Sequence, residues 1–220
     1  MKKVLKKLIV GGTQSGIYKI KYGLAADLLM NVDPSSKTQR ILGLDEREIM
    51  PVFERFSKDS AIFIDVGASD GYYGLIHKRI NPKGKVHLFD GGEVFLGEQK
   101  QNFQLNSLVI DEQKAVLVGA SSTSNMITID DHFSDSVECF FLKIDVEGAE
   151  MEVLQGAERI ISHNNCKIII ETHSSDLEKK CREFLEALGY RIEIIKNAWW
   201  RTFVPEARSL PHNRWLSAEK

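Results

Sequence analysis

A chain of 220 residues with 43% hydrophobic content holds enough apolar material for one ordinary core plus a small N-terminal addition. Its net charge of -2 lacks the basic excess of a nucleic-acid footprint, so no nucleic-acid partner is expected. Three cysteines (Cys139, Cys166, Cys181) are an odd number without C-x-x-C spacing, which argues against a disulfide framework and against a zinc site and fits a reducing compartment.

The chain starts with Met1-Lys-Lys-Val-Leu-Lys-Lys-Leu-Ile-Val10, a short amphipathic pattern whose apolar part is too brief for a signal peptide. It reads as a helix, either lying on a membrane surface or, as preferred, capping the domain. Gly11-Gly12 ends it, and residues 31–36 are rich in turn formers. Residues 45–57 predict a helix with Ile49, Val52, Phe53 and Phe56 on one side, and Pro51 predicts a kink or a late start. Residues 1–58 are therefore expected to be a helical extension packed on a domain spanning 59–220.

From Ala61 onward apolar runs alternate with helical spacing. Strands are predicted at 61–66, 85–90, 139–146, 166–171 and 190–196, with short ones near 108–110, 115–118 and 126–129 and a last one around 199–204. Helices are predicted at 71–80, 93–105, 148–162 and 176–188. This alternation predicts an α/β fold with a mostly parallel sheet covered on both faces, its ligand site at the carboxyl ends of the strands. No run approaches transmembrane length, and a soluble cytoplasmic protein is expected.

Ile64-Asp-Val-Gly-Ala-Ser-Asp-Gly71 joins the first of these strands to its helix. Gly67 and Gly71 permit a sharp turn and close approach of a ligand to the backbone, and the following helix directs its amide end at the same place. A dinucleotide fingerprint needs G-x-G-x-x-G, whereas Ser69 stands at the second glycine position. An acidic residue followed by G-x-x-x-G is instead the pattern used for S-adenosylmethionine, which has a sulfonium and no phosphate. The alternative is a turn with no ligand. Asp90, 25 positions after Asp65 at the next strand end, suits the hydroxyls of a nucleoside ribose.

The other strand ends also carry acids: Asp145 and Glu147, then Glu171 with His173. Glu150 reads first as a helix-start acid favoured by the dipole. Lys143, inside its strand, either snorkels outward or pairs with one of these acids. His173 is the first candidate general base, with a structural histidine as the alternative. Asp145, Glu171 and His173 also suit a divalent cation that would polarise a substrate hydroxyl, and spacing does not choose between metal and metal-free base.

Two runs carry a family likeness. Ile64-Asp-Val-Gly-Ala-Ser-Asp-Gly-Tyr-Tyr73 and Leu142-Lys-Ile-Asp-Val-Glu-Gly-Ala-Glu-Met-Glu-Val-Leu-Gln-Gly156 resemble the FkbM family of S-adenosylmethionine-dependent methyltransferases. Thr128-Ile-Asp-Asp131, Ile169-Ile-Glu-Thr-His173 and Leu188-Gly-Tyr190 extend the likeness, which covers about 61–195. It implies a class I, Rossmann-like methyltransferase fold with seven strands, the last antiparallel. It also implies methyl transfer to oxygen, often on a sugar, glycan or natural-product hydroxyl. By position, Asp65, Gly67, Ala68, Ser69 and Gly71 would cradle the cofactor and Asp90 its ribose. The family usually has Phe-Glu-Pro where this chain has Phe89-Asp90-Gly91, which leaves the acid in shorter form before a different loop.

The expected reaction places His173 or Glu171 as base, with Asp145 and Glu147 orienting the acceptor or an ion. The rivals are a non-catalytic cofactor-binding scaffold and a nicotinamide-dependent oxidoreductase. Trp199, Trp200, Trp215, Arg201 and Arg214 suggest either a sugar-stacking wall or a core or homodimer contact.

Overall fold

The computed structural model describes residues 14–134, 138–202, 212 and 214–220, so the basic stretch at 1–10 read as a helix lies outside the described residues. Gly16–Lys19 (β1) and Leu29–Val32 (β2) pair antiparallel, and Thr38–Leu42 (α1) and Met50–Lys58 (α2) follow. Next come Ile62–Val66 (β3), Tyr72–Ile80 (α3), Lys85–Asp90 (β4), Glu93–Leu105 (α4) and Glu112–Ala115 (β5). Leu117–Val118 (β6) and Met126–Ile127 (β7) form a small parallel pair before Ile129–His132 (α5) and Phe140–Ile144 (β8). The remainder is Glu150–Gln155 (α6), Glu158–His163 (α7), Cys166–Thr172 (β9), Ser175–Ala187 (α8), Arg191–Ile195 (β10) and Arg214–Glu219 (β11).

The seven-stranded sheet has the order β10-β11-β9-β8-β3-β4-β5, with β11 antiparallel to both neighbours and β3, β4, β5, β8 and β9 mutually parallel. The chain moves one way from β3 through β4 to β5 and the other way through β8 and β9. The switch point therefore lies between β3 and β8, where a crevice opens at the carboxyl ends.

Alternation along β3 divides its side chains between two cores. Ile62, Ile64 and Val66 face a core built with α6, α7 and α8, whereas Phe63 joins Phe53, Phe56, Phe141 and Trp215 on the other face. Ring pairs at 4.9–5.5 Å knit Phe53, Phe63 and Phe141 together. Ile20, Met30 and Val32 of the N-terminal segment are buried in that same core. Among the described residues, no helix is long and apolar enough to cross a membrane.

Several expectations are corrected. The N-terminal segment contains the β1–β2 pair, so it is not purely helical. Pro51 falls in the first turn of α2, behind a 3-10 turn at Arg47–Ile49, which is the late helix start. The helix read at 148–162 is two, broken at Gly156. A Cβ on Gly156 would lie 1.9 Å from the Gly119 carbonyl oxygen, and α7 has its own cap: the Asp130 carboxylate accepts from the amides of Arg159 and Ile160. The strand near 108–110 begins instead at Glu112. Trp199–Thr202 is a 3-10 turn, residues 203–204 lie outside the described residues, and the last strand is Arg214–Glu219.

The aromatic tail does not form one wall. Trp215 is fully buried in the core, while Trp199 is 80% exposed. Arg201 stacks on Trp200 and is pinned by the Glu48 carboxylate, and Arg214 pairs with Glu178.

Candidate active site

At the switch point a cleft of about 450 Å3 opens between the loops that leave β3, β4 and β8. Gly67 directly follows β3 on the cleft wall. Its φ is +86°, and a Cβ there would sit 1.9 Å from the carbonyl oxygen of Asp145 on the neighbouring strand end. Ser69 is also left-handed, at φ +45°.

Asp90 ties the turn to the next loop. Its Oδ2 accepts from the Ser69 amide and its Oδ1 from the Gly92 amide, both at 2.9 Å. A carboxylate has about four acceptor positions, so two remain for a pair of hydroxyls in the cleft. Apolar walls from Phe89, Phe95, Val116 and Leu117 stand alongside, a surface suited to a flat ring.

The turn is braced from behind by residues that sequence reading missed. Gln99 Nε2 donates to the Ser69 carbonyl and Asn102 Nδ2 to the Asp70 carbonyl, both at 2.9 Å. Both are buried on α4, and the signal was available: two amides interrupting the inner side of an otherwise plausible helix. Asp70 is gripped at 2.8 Å by Lys37 and by Arg40, and Arg40 stacks over Tyr72. Burial opposes the charge of Asp70, but these two cations outweigh it and hold its carboxyl below the usual range.

Of the six residues expected to hold a cofactor, Gly67, Ser69 and Asp90 line the cleft, and Ala68 and Gly71 shape the turn behind it. Asp65 is fully buried and away from the cleft wall. Neither of its oxygens has a hydrogen-bond partner among the described residues, and burial pushes its pKa up to about 7 against the pull of Lys143. It sits directly opposite Lys143 in the β3–β8 register.

Lys143 is the centre of a second group. Its ammonium lies 3.1 Å from Asp145 Oδ2 and over the ring of Tyr73, whose hydroxyl donates to Glu46. Burial pulls the Lys143 pKa down, but Asp145, Glu46, Asp65 and Glu171 together hold it above the ordinary lysine range. Asp145 answers in kind: burial raises its pKa, and Lys143, joined by His173 and Glu171, outweighs this and leaves it low.

His173 completes the group. Its Nδ1 lies 2.7 Å from Oε1 of Glu150, a fully buried acid, while its Nε2 points between Glu171 (3.7 Å) and Asp145 (4.0 Å). The Glu150 hydrogen bond raises the His173 pKa, with Asp145, Glu150 and Glu147 adding to it and burial opposing. Glu150 is thus more than a helix-start acid, and it orients the imidazole. Asp145 and Glu147 also line the cleft, so Asp145 borders both the cleft and the histidine. Asp145, Glu171 and His173 each offer a ligand atom within 4.8 Å of the others.

Strand order, an antiparallel strand inserted next to the edge, and a glycine turn facing an acid at the next strand end together define a class I methyltransferase fold. Residues 118–192 match the model of the Methyltransferase FkbM domain. The cofactor of that class, S-adenosyl-L-methionine, fits the site as built, with no second glycine to receive a pyrophosphate and two free acceptor positions on Asp90.

Solved structures share the fold at low identity. A Pyrococcus abyssi tRNA (uracil-54, C5)-methyltransferase in complex with S-adenosyl-L-homocysteine superimposes with a TM-score of 0.58 at 12% identity, over 95% of this chain and 45% of its own. An S-adenosylmethionine-dependent O-methyltransferase from Thermotoga maritima gives 0.55 at 14%, over 94% and 78%. A precorrin-6y C5,15-methyltransferase from Geobacter metallireducens gives 0.52 at 18%, over 79% and 89%. No curated protein matches the chain by sequence.

Proposed function

We propose that this chain moves the methyl group of S-adenosyl-L-methionine to a hydroxyl oxygen on a sugar, glycan or related natural-product acceptor. The observation that carries the reading is the Glu150–His173 pair beside Asp145: an oriented imidazole next to a carboxylate that borders the cofactor cleft. When bound, the cofactor supplies an electrophilic methyl group. The work left to the protein is alignment of the acceptor, exclusion of water and removal of the hydroxyl proton.

His173 Nε2 takes that proton, and Glu150 at Nδ1 stabilises the imidazolium that results. Asp145 and Glu147, on the cleft wall, orient the acceptor hydroxyl. Lys143 keeps Asp145 ionised. A cation held by Asp145, Glu171 and His173 would occupy the proton-accepting nitrogen, and Lys143 already supplies positive charge there, which favours the metal-free base. The acids Asp145 and Glu147 on the cleft wall oppose a phosphate backbone and support an acceptor other than nucleic acid.

His173→Ala is expected to lower turnover by about 10²- to 10⁴-fold while leaving affinity for S-adenosyl-L-homocysteine unchanged. In the unmodified enzyme kcat/KM should rise with pH through an inflection above 6.5, because the base must be neutral and its pKa is raised. Glu150→Gln removes the largest cause of that shift, so the inflection should move down. Equal loss of turnover and cofactor affinity in His173→Ala would make the histidine structural. Full activity in that variant with loss in Glu171→Gln would transfer the role to Glu171.

A further inference from the structure

At the β5 edge of the sheet, a second cluster of ligating atoms stands apart from the proposed base. His87 on β4, Glu112 on β5 and His132 on α5 converge on one carboxylate oxygen: His87 Nδ1 lies 2.9 Å and His132 Nε2 2.7 Å from Glu112 Oε2. Ligand atoms from all three lie within 4.8 Å of one another, and each residue is partly buried. Neither histidine has a recognisable context in the sequence, because the three positions meet only through strand pairing and the docking of α5.

We propose that His87, Glu112 and His132 bind a divalent cation of the zinc class, which fastens α5 to the outer strands of the sheet. Two imidazole nitrogens with one carboxylate oxygen form a borderline donor set, preferring zinc and its transition-metal neighbours over magnesium or calcium, with a position left for water. The sequence-based argument against zinc concerned thiolates, and this site needs none.

The surroundings fix the donors. Lys114 Nζ, 2.8 Å from Glu112 Oε1, takes the other carboxylate oxygen and leaves Oε2 facing the histidines. Phe133 meets both rings edge-on, at 5.0 Å from His87 and 4.8 Å from His132, and Phe89 meets His132 at 5.2 Å. On binding, the His132 ring proton moves to Nδ1, and Lys114, 3.4 Å from that atom, stays on Glu112 alone. Phe89 also lines the cofactor cleft, so an ion here stiffens the cleft wall from behind.

The test is calorimetric titration of zinc chloride into tag-free full-length chain stripped with a chelator, with cobalt(II) absorption as a second readout. One equivalent should bind, raise the melting temperature and give visible cobalt bands. His87→Asn and His132→Asn should each weaken zinc binding by at least about a hundredfold. His173→Asn should bind as the unmodified chain does. Far-UV circular dichroism checks that each variant is folded, and cobalt bands in the unmodified chain report nitrogen ligation even where one variant fails to fold. Absence of saturable binding to the unmodified chain would overturn the proposal. So would zinc binding that survives in His87→Asn and His132→Asn but disappears in His173→Asn.

Discussion

Gly67→Ala should unfold the cofactor cleft. A methyl group at this position meets the Asp145 carbonyl oxygen at 1.9 Å, and that atom is backbone at the end of β8, which has no rotamer to change. The φ of +86° adds a left-handed penalty of about 1–2 kcal/mol for any residue with a Cβ. Relief requires β3 and β8 to part at the switch point, where the Asp145 amide donates to the Val66 carbonyl at 2.9 Å. The expected loss of stability is about 3 kcal/mol or more, at the upper end for a single substitution. Urea denaturation measures it. A variant with unchanged stability and cofactor affinity would show that the strands tolerate separation and that the turn is not the constraint described.

Lys143→Met should be the next most damaging change, and its cost should depend on pH. The ammonium is 1% exposed and is paired with Asp145, with Asp65, Glu46 and Glu171 in its field. Methionine fills similar volume, so packing changes little and the loss is electrostatic. Breaking a buried pair by removing one partner costs about 3–5 kcal/mol.

The pH dependence of that loss has a definite sign. In the unmodified chain the Asp145 pKa is depressed, so the pair contributes stability above the unfolded carboxylate pKa. Without Lys143 the nearby acids have raised pKa values when folded, and Asp65 already stands at about 7. Acids raised in the folded state lose stability as pH rises from their unfolded values toward their folded ones. The deficit of Lys143→Met should therefore be larger at pH 8 than at pH 5.5. Denaturation at both values checks it, and a deficit independent of pH would remove Lys143 from the electrostatic account.

The central strands were legible because burial on both faces forces mostly apolar runs, as in Ile62–Val66 and Phe140–Ile144, each interrupted by a single charge, Asp65 or Lys143. The acids at their ends were legible for the complementary reason: a charge directly after such a run must lie at the sheet edge. The β1–β2 pair was not, since four-residue strands with half-exposed side chains carry too short a pattern to separate from turns. The break at Gly156 was hidden because apolar spacing continues across it, and only the approach of Gly119 reveals it.

Pairings across the chain were hidden for another reason. Glu150 and His173 are 23 residues apart, and their contact depends on how α6 docks beside the end of β9. The orientation of Asp65 was misjudged in kind: strand alternation sends it to the face of Phe63 and Lys143, while the cleft is bordered by its neighbours Val66 and Gly67. Period two along β3 contained that information.

Titration of S-adenosyl-L-homocysteine into the folded chain and into Asp90→Asn tests the identity of the cleft most directly. The unmodified chain should bind one equivalent. The variant loses a charged acceptor worth about 1.5–3 kcal/mol and should bind at least about tenfold more weakly. No heat from the unmodified, folded chain, or equal affinity in the two, would contradict a nucleoside held at Asp90.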